Sequence, residues 1–170
     1  MISRQKKQEI IDDQELLDYA YASKVMMKIF NNKITNIKQR ERFSPSDCLF
    51  TATTDTKEGH YNLEIKSCKY ADFNKYGTFI LKKDKLQRIL TDWEYRGDKA
   101  EKNIIIYLMK SANKYYVFNL DGINSENTTS RELYLNDCEV APKRKVKTRC
   151  WLLKAEDAIA VGKIEDKHRC

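Results

Sequence analysis

Asp47, Glu64 and Lys66 are the residues whose types and spacing carry chemistry. Glu64 and Lys66 stand two apart in a segment that reads as a strand, so both side chains leave the same face. Leu63 and Ile65, on the opposite face, have the character of core. A charged pair on one face of an otherwise apolar strand calls for a reason, because burying charge without a partner is costly. Asp47 supplies a second acid upstream. Two carboxylates converging on one point make a hard-oxygen site suited to Mg²⁺ or Mn²⁺, and the backbone carbonyl of Ile65 is placed to add a ligand. Such an ion polarises a phosphodiester oxygen and lowers the pKa of a bound water. An ammonium at Lys66 stabilises the charge that builds on phosphorus or orients the attacking water.

The elements that must position these groups are legible around them. Residues 48–54 are β-branched and apolar and read as a buried strand. Residues 55–59 have turn chemistry, and residues 61–68 alternate as the return strand. Folding about the 56–59 turn brings Asp47 beside Ser67 and Cys68, at the Glu64 and Lys66 end of the sheet and within about two residues of register. Asp55 goes to the far end.

Upstream, residues 5–37 read as a helix with Ile10, Leu17, Tyr21, Val25 and Ile29 on one stripe, interrupted near Asn31 and Asn32. Pro45 ends any helix before the hairpin. Downstream, residues 78–81 read as a short strand. Asp84 caps a helix with the stripe Leu86, Ile89, Leu90 and Trp93, which Gly97 ends. Residues 104–109 and 115–120 form a second apolar hairpin, 121–130 a polar loop, 150–153 a short apolar run and 155–161 a last helix. With no linker or repeat, the chain reads as one α/β domain over residues 1–170. A central mixed sheet is flanked by helices, with a core over about 8–120 and a basic portion over 131–170.

Pro45-Ser46-Asp47, a hairpin and Glu64-Ile65-Lys66 together resemble the PD-(D/E)XK nuclease superfamily, the restriction-endonuclease-like fold. The element order around them is similar to that family over roughly residues 8–120. The resemblance implies a Mg²⁺-dependent deoxyribonuclease, with Asp47 and Glu64 as metal ligands and Lys66 as the catalytic lysine. It also implies an acid of the first helix near the metal, Glu15 first and Glu9 second. Cutting two strands with so small a domain implies a homodimer, although no dimer surface is legible. Ser46 separates Pro45 from the acid, and no Tyr follows Gln87 by four residues, so the RecB-like branch is not supported.

The charge balance agrees with a polyanionic partner. Lys and Arg total 32 against 25 Asp and Glu, a net charge of +7. Lys69, Lys75, Lys82, Lys83 and Lys85 follow the hairpin, interleaved with Tyr70, Phe73 and Tyr76, which suits a nucleic-acid backbone. The densest basic run holds Lys143, Arg144, Lys145, Lys147 and Arg149. If that run is a strand, Lys145, Lys147 and Arg149 share one face suited to phosphates. Phe73, Phe79, Trp93 and Trp151 are more simply core, and His60 a surface residue. Five scattered cysteines with no CxxC pair argue against a zinc site or a disulfide framework.

No apolar run is long enough for a membrane span and residues 1–42 lack a signal-peptide core, so the expected place is the cytoplasm, the host's if the chain is viral. The basic run also resembles a viral-type nuclear import signal, which leaves the nucleus open. The competing readings are a non-catalytic nucleic-acid-binding protein on the same fold and an interaction protein whose basic balance is incidental.

Overall fold

Two asparagines in the left-handed region end the first helix. The computed structural model describes residues 4–41, 44–53, 58–68, 77–92, 102–136 and 144–164. Helix α1 (Arg4–Ile29) stops before Asn31 and Asn32, whose φ angles are 51° and 60°, a conformation Asn tolerates better than most residues. The expected helix over 5–37 is therefore shorter, and its last residues belong to strand β1 (Ile34–Gln39). β1 pairs antiparallel with β2 (Cys48–Thr53), Thr35 opposite Thr51 and Lys38 opposite Leu49. That spacing sets two residues against one, a bulge that Asn36 accommodates with φ at 53°.

β2 pairs antiparallel with β3 (Glu58–Cys68), from Thr53 opposite Glu58 to Cys48 opposite Leu63. Glu58 and Gly59, expected in the turn, are thus strand residues. β4 (Thr78–Lys82) runs directly into helix α2 (Lys83–Leu90), and β5 (Lys102–Met109) returns parallel to β3 with Glu64 opposite Ile105. β6 (Lys114–Asn119), β7 (Ser130–Asn136), β8 (Lys145–Lys154) and β9 (Ala160–Lys163) follow. The strands form a six-stranded mixed sheet in the order β1-β2-β3-β5-β6-β9 and a three-stranded sheet in the order β4-β8-β7.

The helix expected over 155–161 does not form. A single 3₁₀ turn at Ala155–Asp157 leads into β9, which pairs with the β6 edge. Ile159 and Val161 favour the extended form, and sheet pairing outweighs local propensity. Gly162 leaves room for the Tyr115 ring, since a Cβ there would stand 2.5 Å from the Tyr115 hydroxyl and push the ring aside.

The layers follow from strand alternation. On one face of the larger sheet, Ala22, Val25 and Met26 of α1 pack with Phe50, Tyr61, Leu63, Ile104 and Ile106. On the other, Ile105, Tyr107 and Phe118 pack with Phe79 and Leu81 of β4, Leu86 and Ile89 of α2, and Trp151 and Leu153 of β8. β5 must be apolar on both faces because both are covered, and its run of isoleucines meets that need. Tyr107 donates to the Ile80 carbonyl at 3.0 Å and ties the two sheets together. The stripe of α1 is displaced from expectation. Ile10 and Leu17 are each 53% exposed, and among the described side chains of the helix the buried ones begin at Asp18.

Phe79 and Trp151 are buried as expected. Asp55, Lys69, Tyr70, Phe73, Lys75, Tyr76, Trp93, Gly97 and Lys143 lie outside the described residues. Among the described residues no helix is long and apolar enough to cross a membrane.

Candidate active site

Asp47 lies one residue before β2, held on both sides. Its N–H donates to the Leu63 carbonyl at 3.0 Å, and its carbonyl accepts the Arg40 N–H at 2.9 Å. Cys48 stands opposite Leu63, so one further step along the hairpin sets Asp47 opposite Glu64. This is closer than expected. The meeting with Ser67 and Cys68 assumed that Glu58 and Gly59 were in the turn; pairing them as strand slides Asp47 back to Glu64. The Asp47 carboxylate also accepts the Ile65 N–H at 2.6 Å. The N–H and C=O of a strand residue point the same way, so the Ile65 carbonyl leaves the strand on the Asp47 side.

Glu64 is 1% exposed, on the face of the sheet that packs against α2 and the second sheet. Asp47 is exposed, and the Lys66 side chain is 31% exposed, so the site opens at that end. Lys66 Nζ stands 3.5 Å from Glu64 Oε1, and Lys85 Nζ, from the first turn of α2, stands 2.8 Å from Oε2. The Oε2 contact is a close ion pair. Burial, then the charge of Asp47, push the Glu64 carboxyl up to about 7, while the two lysines pull it down. Burial and the two acids also push the Cys48 thiol up, so this neighbour of the site is an inert core thiol.

The donor set fits a small hard cation. Among the described residues no cluster of three or more His, Cys, Asp or Glu side chains is present. Asp47, Glu64 and the Ile65 carbonyl are hard oxygen donors, the donor type that Mg²⁺ takes.

Glu15 and Glu9 are exposed on α1, which covers the other face of the sheet. No hydrogen bond or ion pair joins Glu15 to Asp47 or Glu64 among the described residues. The buried acid of α1 is Asp18, ion-paired with Lys110 and accepting from Gln14 at 3.1 Å.

A buried polar chain beside the site was not foreseen from sequence. Arg40 pairs with Asp92 and donates to Ser46 Oγ at 2.9 Å. Ser46 Oγ contacts Asn62 Oδ1 at 3.4 Å, Asn62 donates to Asn103 at 2.9 Å, and Asn103 to Asp121 at 2.6 Å. Asn62 precedes Glu64 by two, so alternation alone placed it on the Glu64 face; nothing local marks Arg40 or Asp92.

The basic residues divide. Lys82 and Lys83 are half-buried, and Lys83 Nζ lies 3.8 Å from the Trp151 ring centroid. Lys85, expected at a nucleic-acid backbone, is engaged with Glu64. Arg144 is exposed. The basic run does form a strand, and Lys145, Lys147 and Arg149 are exposed on one face of the β7–β8 ribbon. Glu132 across the ribbon pairs with Lys147 at 2.7 Å and Arg149 at 3.6 Å, and its carboxyl is held below the usual range, by Lys147 first.

Comparison with family models, with curated proteins and with solved structures gives no match, so the functional reading rests on geometry.

Proposed function

We propose that the chain is a metal-dependent endonuclease that hydrolyses DNA phosphodiester bonds, with Asp47, Glu64 and Lys66 at its centre. The observation that carries this reading is the register of the β2–β3 hairpin. It sets the upstream acid opposite Glu64, with Lys66 on the same face at 3.5 Å. The succession of α1, the β2–β3 hairpin, α2 and β5 also supports it, since a helix, the hairpin, a helix and another strand is the order the PD-(D/E)XK resemblance implies; β1 and β4 are additional to that order.

Bound Mg²⁺ or Mn²⁺ would polarise the phosphate and lower the pKa of the attacking water. Asp47, Glu64 and the Ile65 carbonyl are the groups that would hold it. The Ile65 N–H orients the Asp47 carboxylate, and the Polar chain through Ser46 steadies the backbone that carries it. Lys66, at the open end, offers a positive charge to the phosphoryl oxygens as the water–phosphorus bond forms and the bond to the leaving oxygen breaks. The ribbon bearing Lys145, Lys147 and Arg149 supplies phosphate contacts remote from that centre. Cutting both strands of a duplex would take two copies of the site.

The test is incubation of supercoiled, linear and four-way-junction DNA with Mg²⁺ or Mn²⁺. Asp47→Ala, Glu64→Ala and Lys66→Ala should each lose at least about 100-fold in cleavage while retaining DNA. Chelation should abolish cutting and spare binding. Cleavage that persists in Lys66→Ala overturns the assignment.

A second reading, a nucleic-acid binder that does not cut, is favoured by one observation: two ammonium groups already balance Glu64. Retention of DNA without cleavage under every divalent ion would select it.

A further inference from the structure

Lys85 is the member of this cluster for which the hydrolytic reading has no task. It sits in the first turn of α2, and its ammonium lies 2.8 Å from Oε2 of a carboxylate that is 1% exposed. Lys66 belongs to the same strand as Glu64 and meets the other oxygen at 3.5 Å. The two oxygens of Glu64 thus face different cations, one from its own strand and one from a separate helix.

We infer that the Lys85 ammonium is a built-in competitor for the divalent cation: it holds Glu64 Oε2 in the metal-free protein and must withdraw before Glu64 can act as a ligand. The inference rests on the metal-site reading above and adds its regulation. Mg²⁺ binds carboxylate oxygen at about 2.0–2.1 Å. An ammonium 2.8 Å from the same oxygen would face that ion across a short, poorly screened gap. Both cannot hold the oxygen at full strength.

The geometry favours Lys85 as the group that yields. It reaches Oε2 from a separate helix at 2.8 Å, and a divalent cation on the same oxygen would repel it directly. Its side chain is 17% exposed, against 2% for that of Glu64. Lys66 is carried by β3 itself, two residues from Glu64, so its backbone keeps its place whether or not Lys85 moves. Without metal the pairing has a purpose of its own, because a buried carboxylate deprived of a partner is destabilising. The same contact therefore satisfies the buried carboxylate and weakens its hold on metal.

Isothermal titration calorimetry with Mg²⁺ on the full chain at pH 8.5 tests this, comparing wild type, Lys85→Met, Lys85→Arg and Glu64→Gln. The alkaline pH favours the ionised form of Glu64. Lys85→Met should bind Mg²⁺ about tenfold more tightly than wild type, Lys85→Arg no more tightly, and Glu64→Gln hardly at all. Binding by Lys85→Met that equals or falls below wild type overturns the inference. Absence of Mg²⁺ binding in wild type and Lys85→Met alike sinks the metal-site reading and this inference together. If Lys85→Met does not fold, acetylation of Lys85 in the wild-type chain, read by peptide mass spectrometry, replaces it. Labelling should rise several-fold when Mg²⁺ is added, and unchanged labelling under saturating Mg²⁺ refutes displacement.

Discussion

At Glu64, a carboxyl that titrates near neutrality links the site to folding stability. The folded-state value is about 7, above the ordinary 4.5, with burial the largest cause. The folded protein therefore retains a proton that the unfolded chain has released. Stability should fall as pH rises through that interval and level off above it. In metal-free urea titrations at pH 5 and pH 8, wild type should lose stability toward pH 8. Glu64→Gln, which cannot ionise, should lose about 1–3 kcal/mol less over the same span. Parallel profiles for the two proteins would show that Glu64 does not carry the linkage. The facing of Glu64 and Lys66 from one strand was readable in residues 61–68, because a period of two is a local property of extended chain.

Between elements, the Arg40–Asp92 pair joins the end of β1 to the chain just after α2, with side chains 2% and 6% exposed. Through Ser46 it also supports the residue that precedes Asp47. Removing one partner leaves a buried charge, so Arg40→Ala or Asp92→Ala should cost about 3–5 kcal/mol in equilibrium urea unfolding. The double replacement Arg40→Met with Asp92→Leu should cost far less. A double variant that loses as much as the two single variants added together would mean the partners act separately. None of this was legible beforehand. The partners lie 52 residues apart and only the route of the chain through α2 joins them. The strand β9 escaped for a related reason: its partner is β6, and the local pattern of 155–161 was compatible with a helix.

Across the whole molecule, the parallel return of β5 requires a crossover, and α2 within that crossover packs on the Glu64 face. The net charge of +7 is a property of composition, but its distribution depends on the fold. Lys85 is drawn inward to Glu64, while Lys145, Lys147 and Arg149 line one face of a ribbon. Replacing those three by Gln should reduce the slope of log affinity against log salt by roughly 2–3, read by fluorescence anisotropy on labelled duplex DNA. An unchanged slope would move the phosphate contacts elsewhere.

Short-range pattern was enough for the mixed α/β class, for the hairpin that carries both acids, and for the shared face of Glu64 and Lys66. Each depends on residues close in the chain and on periods of two or 3.6. The hairpin register came from Glu58 and Gly59 pairing as strand, while the second cation on Glu64 and the Arg40–Asp92 brace came from packing. The latter two depend on where distant segments land once both faces of the sheet are covered, and no local periodicity encodes that.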